Sequence, residues 1–139
     1  MSEHANVEFA CALIKGWNAR DLGREFALLS EDCVVEICDE APAQGPHAAC
    51  KTIQRWLAAI PDLWFDVMEV AATEQAAVVR WRAVGTLWND LSVAGTARRP
   101  VEVDGFTVVG IKQGKIIRLW HYWDADELVQ HVAEQGSAA

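Results

Sequence analysis

The chain has 139 residues, of which 52% are hydrophobic, and its formal net charge is −8. This length is typical of one domain around a single core, so we predict one domain over residues 1–139. The acidic excess argues against nucleic acid and anionic membrane surfaces as partners. No apolar segment is long enough to span a membrane or to serve as a secretion signal, and we therefore expect a cytoplasmic protein.

The cysteines and tryptophans give two further expectations. Cys11, Cys33, Cys38 and Cys50 form no CxxC pair, so they are interpreted as reduced, small, buried side chains. The chain has seven tryptophans and one tyrosine. Because tryptophan is bulky and carries one hydrogen-bond donor, we expect several of the seven to line a cavity or a subunit interface.

The apolar residues have a helical period in the first half of the chain and alternate in the second half. In chain order we predict helices over 7–19 and 24–29, a strand over 33–38, a helix over 46–59, and strands over 63–72, 76–88, 101–112 and 115–123. This order predicts an α+β fold with a mainly antiparallel sheet. A long sheet with helices gathered on one face curls into a cone, which leaves an apolar pocket at its open end.

Asp124 follows the last predicted strand, which is rich in β-branched and aromatic residues. A carboxylate at the mouth of an apolar cavity has a raised pKa because desolvation disfavours its charge, and such a group can act as an acid or base. The alternative is structural: Asp124 and Glu127 form a D-x-x-E helix start, in which Asp124 only caps backbone amides.

Short segments spread over almost the whole chain carry a family resemblance. They are NARDL (18–22), PDL (61–63), VVRWRAVGT (78–86), GTARRPVEVDGF (95–106), QGKI (113–116) and a W-x-x-x-D-x-x-x-L pattern that begins at Trp120. The chain resembles the SnoaL-like branch of the NTF2-like superfamily, which also includes ketosteroid isomerases and limonene epoxide hydrolases. This resemblance implies an NTF2-like cone, a curved sheet wrapped around N-terminal helices.

The resemblance implies site residues as well. Asp124 matches the acid/base aspartate of SnoaL-like polyketide cyclases, but their partner histidine has no counterpart over 107–110. Asp104 lies near the oxyanion aspartate of the ketosteroid isomerases, offset by about two positions. The epoxide hydrolases need an Arg-x-Asp pair, where this chain has Arg80 and Arg82.

Strand alternation divides the end of the chain into two faces. Trp120, Tyr122 and Asp124 share one face, and the resemblance implies that this face lines the pocket. Tyr122 would then donate a hydrogen bond to a substrate oxygen, or else be an ordinary amphipathic aromatic residue. His121 on the other face is the alternative acid/base by its intrinsic pKa, and is otherwise expected to pack at the outer surface or a dimer contact.

For substrate binding we predict Trp17, Trp64, Arg80, Phe106 and Trp120. Arg80 and Arg82 share a strand face, and we favour solvent exposure or pairing with acids such as Asp104 or Glu36 for both, because unpaired cations in an apolar cavity are costly.

The histidines show no spacing typical of a metal site, and there is no nucleotide-binding or nucleophile-elbow motif, so the sequence favours chemistry without metal or cofactor. His47, near a helix start, is interpreted as a surface residue.

The sequence thus supports a cofactor-independent lyase or isomerase, cyclase-like, acting on a small hydrophobic carbonyl-bearing molecule with Asp124, Tyr122, Asp104 and His121 as catalytic candidates. One alternative is a non-catalytic small-molecule-binding or accessory protein, and another is a limonene-type epoxide hydrolase. We also predict a homodimer through the outer sheet face, with Trp81 and Trp123 in the contact.

Overall fold

The computed structural model describes residues 2–37, 40–87 and 99–123. Over these residues the elements are α1 (Glu3–Asn18), α2 (Leu22–Leu28), β1 (Leu29–Ile37), β2 (Ala43–Gln44), α3 (Pro46–Ala59), β3 (Trp64–Ala72), β4 (Ala76–Leu87), β5 (Arg99–Lys112) and β6 (Lys115–Trp123). The predicted α+β class is confirmed, and so are the bounds predicted for α3 and β6.

The helices begin where capping chemistry permits. The Ser2 side chain accepts a hydrogen bond from the backbone N–H of Ala5, which starts α1 four residues earlier than its apolar stripe predicts. Pro46 opens α3, where its missing N–H costs nothing. No helix in the described part of the chain is both long and apolar enough to cross a membrane.

The six strands form one curved, unclosed sheet in the order β2-β1-β6-β5-β4-β3. All neighbouring strands are antiparallel except β1 and β6, which run parallel. The turn between β5 and β6 places Gln113 and Gly114 at φ 53° and 74°, which suits a tight hairpin. Strand β1 begins earlier than the predicted strand over 33–38 and includes residues 30–32, and the short strand β2 is not among the predicted elements.

The core lies between the inner face of the sheet and the helices α1 and α3. From α1 it takes Ala10, Leu13, Ile14 and Trp17, all 0–1% exposed, and the inner sheet residues pack against them. The sheet thus wraps around N-terminal helices, as the predicted NTF2-like cone requires.

The outer face of strand β4 carries two arginines that form ion pairs. Arg80 bonds Glu69 at 2.7 Å, and Arg82 bonds Asp104 at 2.9 Å, so the predicted pairing of both arginines outside the pocket is confirmed. Strand alternation then turns Trp81 inward, where it is 2% exposed. The prediction that Trp81 lies in an outer dimer contact is therefore wrong, because two charged neighbours and the residue between them cannot share a face.

Candidate functional site

An apolar pocket of about 180 Å³ lies between the C-terminal half of α3 and the inner face of β3, β4 and β5. Four aromatic side chains belong to its lining: Trp56, Phe65, Trp81 and Trp123. Their ring centroids lie 4.9 to 6.5 Å apart, mostly in tilted or edge-on contacts. The remaining lining residues are Arg55, Ala59, Ile60, Leu63, Ala83, Leu87, Val101 and Val103. Among these described residues Arg55 alone is charged.

A buried polar chain lies directly behind this aromatic wall. The indole Nε1–H of Trp81 donates to Thr107 Oγ1 at 2.9 Å, and Thr107 Oγ1 is 3.0 Å from Nδ1 of His121. Thr107 and His121 face each other across β5 and β6, and both are 0% exposed. The ring of Trp56 lines the pocket and also contacts the His121 ring at 5.4 Å. His121 is therefore separated from the pocket by one layer of side chains.

His121 is neutral in this setting. Complete burial lowers the pKa of its imidazole from 6.5 to about 3, because the charged form would lose its hydration. Nε2 has no hydrogen-bond partner among the described residues. Nδ1 of the ring therefore lies against Thr107, and Nε2 is left without a hydrogen-bond partner in the described structure.

The core holds a second titratable group, Glu25 of α2, which the sequence analysis missed. Its Oε2 accepts a hydrogen bond from Trp17 Nε1 at 2.7 Å, while Oε1 has no partner in the described structure. Burial raises the pKa of this carboxyl from 4.5 to about 7. The Trp17 ring also contacts His121 at 5.3 Å, so one tryptophan touches both buried groups. The seven-residue helix offered no periodic signal that Glu25 points inward.

Glycine 105 makes room for the Trp81 ring. Gly105 lies opposite Trp81 in the β4–β5 register, and a Cβ there would meet the Trp81 ring carbons at 2.5 and 2.8 Å and the carbonyl oxygen of Tyr122 at 2.5 Å. Any larger residue would displace the indole, and the indole is the donor to Thr107.

The predicted pocket face of β6 is the wrong one. Trp120 and Tyr122 are 38% and 45% exposed on the outer face, where both rings contact Phe106. His121, expected outside, lies in the core, and Trp123, expected in a dimer contact, lines the pocket. Strand alternation correctly predicted which of these residues share a face. It did not show which face is buried, because both faces carry aromatic rings.

The other predicted site residues also lie away from the pocket. On the outer face, Asp104 pairs with Arg82 and Arg80 pairs with Glu69. Trp64 is 50% exposed, and its Nε1–H donates a hydrogen bond to Asp66. Trp17 is buried in the core behind the pocket wall. Asp124 lies outside the described residues.

The predicted surface position of His47 is confirmed, since it is exposed and contacts the Phe26 ring. Within the described ranges, no three His, Cys, Asp or Glu side chains come together as a set of metal ligands. Cys11, Cys33 and Cys50 carry free thiols, and the last two are buried as predicted. Cys38 lies outside the described residues.

A curved sheet around helices, with an aromatic pocket above a buried polar chain, defines an NTF2-like domain. The sequence matches the SnoaL-like polyketide cyclase family over residues 8–132, and the chain belongs to that family. No functionally curated protein matches it.

Solved structures share the fold at low sequence identity. A proposed polyketide cyclase from Xanthomonas campestris pv. campestris superposes with a TM-score of 0.84 at 16% identity, covering 93% of this chain and 98% of its own. AclR, a proposed hydroxylase from Streptomyces galilaeus, gives 0.82 at 20% identity, with 96% and 98% covered. An LEH-like epoxide hydrolase from M. tuberculosis gives 0.71 at 15% identity, with 95% and 92% covered. These likenesses establish the fold.

Proposed function

We propose that this protein is a cofactor-independent acid/base enzyme, cyclase- or isomerase-like, that acts on a small hydrophobic molecule bearing a carbonyl group. The observation that supports this most is the aromatic pocket lying one side-chain layer above neutral His121. An apolar cavity with few polar groups beneath it is typical of small-molecule sites. Family membership supports the cyclase-like type of chemistry.

The volume and lining of the pocket limit the ligand. An apolar protein cavity of about 150 Å³ holds one benzene molecule, so 180 Å³ suits one ring, or two fused rings that extend into the mouth. The lining favours flat, apolar groups because its aromatic side chains can stack on them. Arg55 at the edge is already paired with Glu40 at 3.5 Å.

Two groups divide the acid/base work in this proposal. Asp124 carries the proton, which rests on its family position after β6. His121 supplies a polar contact to the carbonyl oxygen, a role we first assigned to Tyr122. His121 is 0% exposed, and the Trp56 ring that lines the pocket packs against it, so a ligand in the pocket reaches His121 after that ring moves.

Ligand binding tests the pocket. Naphthalene ketones such as 2-acetylnaphthalene should raise the melting temperature of the wild-type protein. Ala83→Phe fills the pocket from β4 and should abolish that shift. Val78→Phe places the same side chain on the outer face of the same strand, where Val78 is 39% exposed, and should leave the shift intact. Equal shifts in both variants would show that the ketone binds elsewhere.

Catalysis is tested at Asp124. Asparagine still caps a helix, so for a purely structural cap Asp124→Asn costs well under ~1 kcal/mol and leaves turnover unchanged. For a proton carrier, the same substitution lowers turnover about 10²–10⁴-fold while ligand binding persists. The assay screens polycyclic aromatic ketones and epoxides for turnover. Full turnover by Asp124→Asn on a substrate found this way removes Asp124 from the mechanism.

A non-catalytic binding protein is the second candidate, and the sealed position of His121 favours it. Binding of ketones without turnover of any compound in the screen would select it. Epoxide hydrolysis receives less support, because Arg82 and Asp104 pair on the outer face, and no described carboxylate lines the pocket.

A further inference from the structure

The direction of each hydrogen bond in the Trp81–Thr107–His121 chain follows from the donors available. The Trp81 indole can only donate, so Thr107 Oγ1 accepts that bond at 2.9 Å. The hydroxyl of Thr107 then has a single proton to give. Its other neighbour among the described residues is Nδ1 of His121, at 3.0 Å.

Two tautomers of the neutral His121 ring are conceivable. If Nδ1 carried the proton it would donate to Thr107, and the Thr107 hydroxyl proton would be left buried without an acceptor. If Nε2 carries the proton, Thr107 donates to Nδ1 and every polar atom between Trp81 and Nδ1 is satisfied. An unmade buried hydrogen bond is costly, so the second arrangement is favoured.

The protonated Nε2 is then a donor without a partner in the described residues, inside the core and one layer from the pocket. A neutral imidazole N–H polarises a carbonyl oxygen without bringing a charge into an apolar site, a role that neutral histidine plays in triosephosphate isomerase. A bare Nε2 would instead act as a base. The direction of the hydrogen bonds that run from Trp81 through Thr107 to His121 therefore decides whether Nε2 acts as a donor or as a base.

We propose that Thr107 and Trp81 are positioning residues that hold His121 as its Nε2–H tautomer, so that the site takes ligands with an acceptor oxygen, a ketone or its enolate. This inference rests on the proposed function for the identity of the ligand. It concerns the ring state of His121 independently of any ligand. Gly105 belongs to the same arrangement, since it seats the Trp81 ring.

The tautomer is measured directly by ¹⁵N NMR of protein labelled at histidine, because protonated and bare ring nitrogens have well-separated resonances. His121→Gln identifies the signals by their loss. In the wild-type protein we expect Nε2 protonated and Nδ1 bare. Thr107→Ser keeps the hydroxyl and should keep this pattern, whereas Thr107→Val cannot donate and should shift the ring towards the Nδ1–H form. A proton on Nδ1 in the wild-type protein overturns the proposal.

Trp81→Phe gives a second test should Thr107→Val fail to fold. It removes the hydrogen bond that fixes the position of the Thr107 hydroxyl. The hydroxyl then points less strictly at Nδ1, and the tautomer preference should weaken. An unchanged preference in Trp81→Phe would exclude a positioning role for Trp81.

Paired ligands connect the ring state to recognition. The wild-type protein should bind 2-acetylnaphthalene about tenfold more tightly than 2-ethylnaphthalene, which lacks the acceptor oxygen. Thr107→Val should reduce this preference while Thr107→Ser retains it. Equal affinity of the wild-type protein for both compounds, together with an Nε2–H signal, would contradict the ligand class and leave the tautomer established. The two failures are thus distinguishable.

Discussion

At the scale of single residues, burial moves two pKa values in opposite directions around one tryptophan. Glu25 bonds the nitrogen of Trp17, and His121 packs against its ring. The pKa of Glu25 rises to about 7 and that of His121 falls to about 3, so both groups favour their neutral forms. Between about pH 3 and pH 7 both buried groups are therefore mostly uncharged.

These shifts make the free energy of unfolding depend on pH. The folded protein holds the Glu25 proton more tightly than the unfolded chain, so this group's contribution to stability is full below pH 4.5 and is lost as the pH rises to about 7. His121 acts in the opposite sense: its contribution is full above pH 6.5 and is lost as the pH falls towards 3. The two slopes oppose each other between pH 4.5 and 6.5.

Glu25→Gln isolates the part of the pH dependence that is due to Glu25, because glutamine still accepts a hydrogen bond from Trp17 but does not ionise. Denaturant unfolding of both proteins across pH should show the variant gaining stability over the wild type as the pH rises from 4.5 to about 7, by on the order of 3 kcal/mol. The thiols of Cys33 and Cys50 face Glu25, and their pKa values are raised, for Cys50 to about 11, which keeps them outside this window. A pH-independent difference would show that Glu25 keeps an ordinary pKa.

Residue patterns predicted which side chains share a face more reliably than which face is buried. On β6 both faces carry aromatic rings, so hydrophobicity did not separate them. Arg118 and Trp120 lie on the same face of β6, and both are exposed. Because a charged residue such as Arg118, which bonds Glu36, seldom faces a core, it was the residue that could have indicated the outer face. Solvent-facing Arg80 and Arg82 likewise required Trp81 to point inward.

At the scale of secondary structure, the placement of Trp81 depends on a glycine in the neighbouring strand. Gly105→Ala should lower the free energy of unfolding by about 1–3 kcal/mol, since its Cβ would overlap the Trp81 ring and the Tyr122 carbonyl. Gly23→Ala is the matched control: its Cβ would have only Asp21 Oδ1 nearby, at 3.5 Å, and alanine favours a helix. It should be neutral or stabilising. Equal effects in denaturant unfolding would mean that the Gly105 contact relaxes freely.

Element bounds followed from local chemistry where that chemistry was distinctive. Pro46 fixed the start of α3, and the Gln113–Gly114 turn fixed the start of β6. The extent of β1 did not follow, because polar residues 30–32 resemble a turn. In the structure they lie at a register shift between Leu29 and Val34, both of which pair with β6. Such pairing joins segments more than 80 residues apart, and no local pattern encodes it.

At the scale of the whole molecule, the outer sheet face carries an exposed aromatic cluster of Phe106, Trp120 and Tyr122. Phe106 and Tyr122 stack with ring centroids 5.2 Å apart, and Trp120 meets Phe106 edge-on at 6.1 Å. Ion pairs lie around this cluster, among them Arg82–Asp104 and Arg118–Glu36, so its rim carries both positive and negative charges. An apolar centre within a rim of mixed charge is typical of an interface.

We expect a second copy of this chain to cover the cluster, in an isologous homodimer. Because the rim holds both signs of charge, a two-fold axis through the cluster can bring basic groups of one copy to acidic groups of the other. The contact residues differ from those first predicted, Trp81 and Trp123, which face inward.

Sedimentation at micromolar concentration tests this expectation. The wild-type protein should sediment as a dimer, and Trp120→Lys should shift it to a monomer, because an interface centre that buries an unpaired ammonium is strongly disfavoured. Phe26→Lys is the control, since Phe26 is 42% exposed on α2 and its ring contacts His47 rather than the aromatic cluster, and its replacement should leave the dimer intact. A monomeric wild-type protein would exclude the dimer, and a dimeric Trp120→Lys variant would place the contact on another surface.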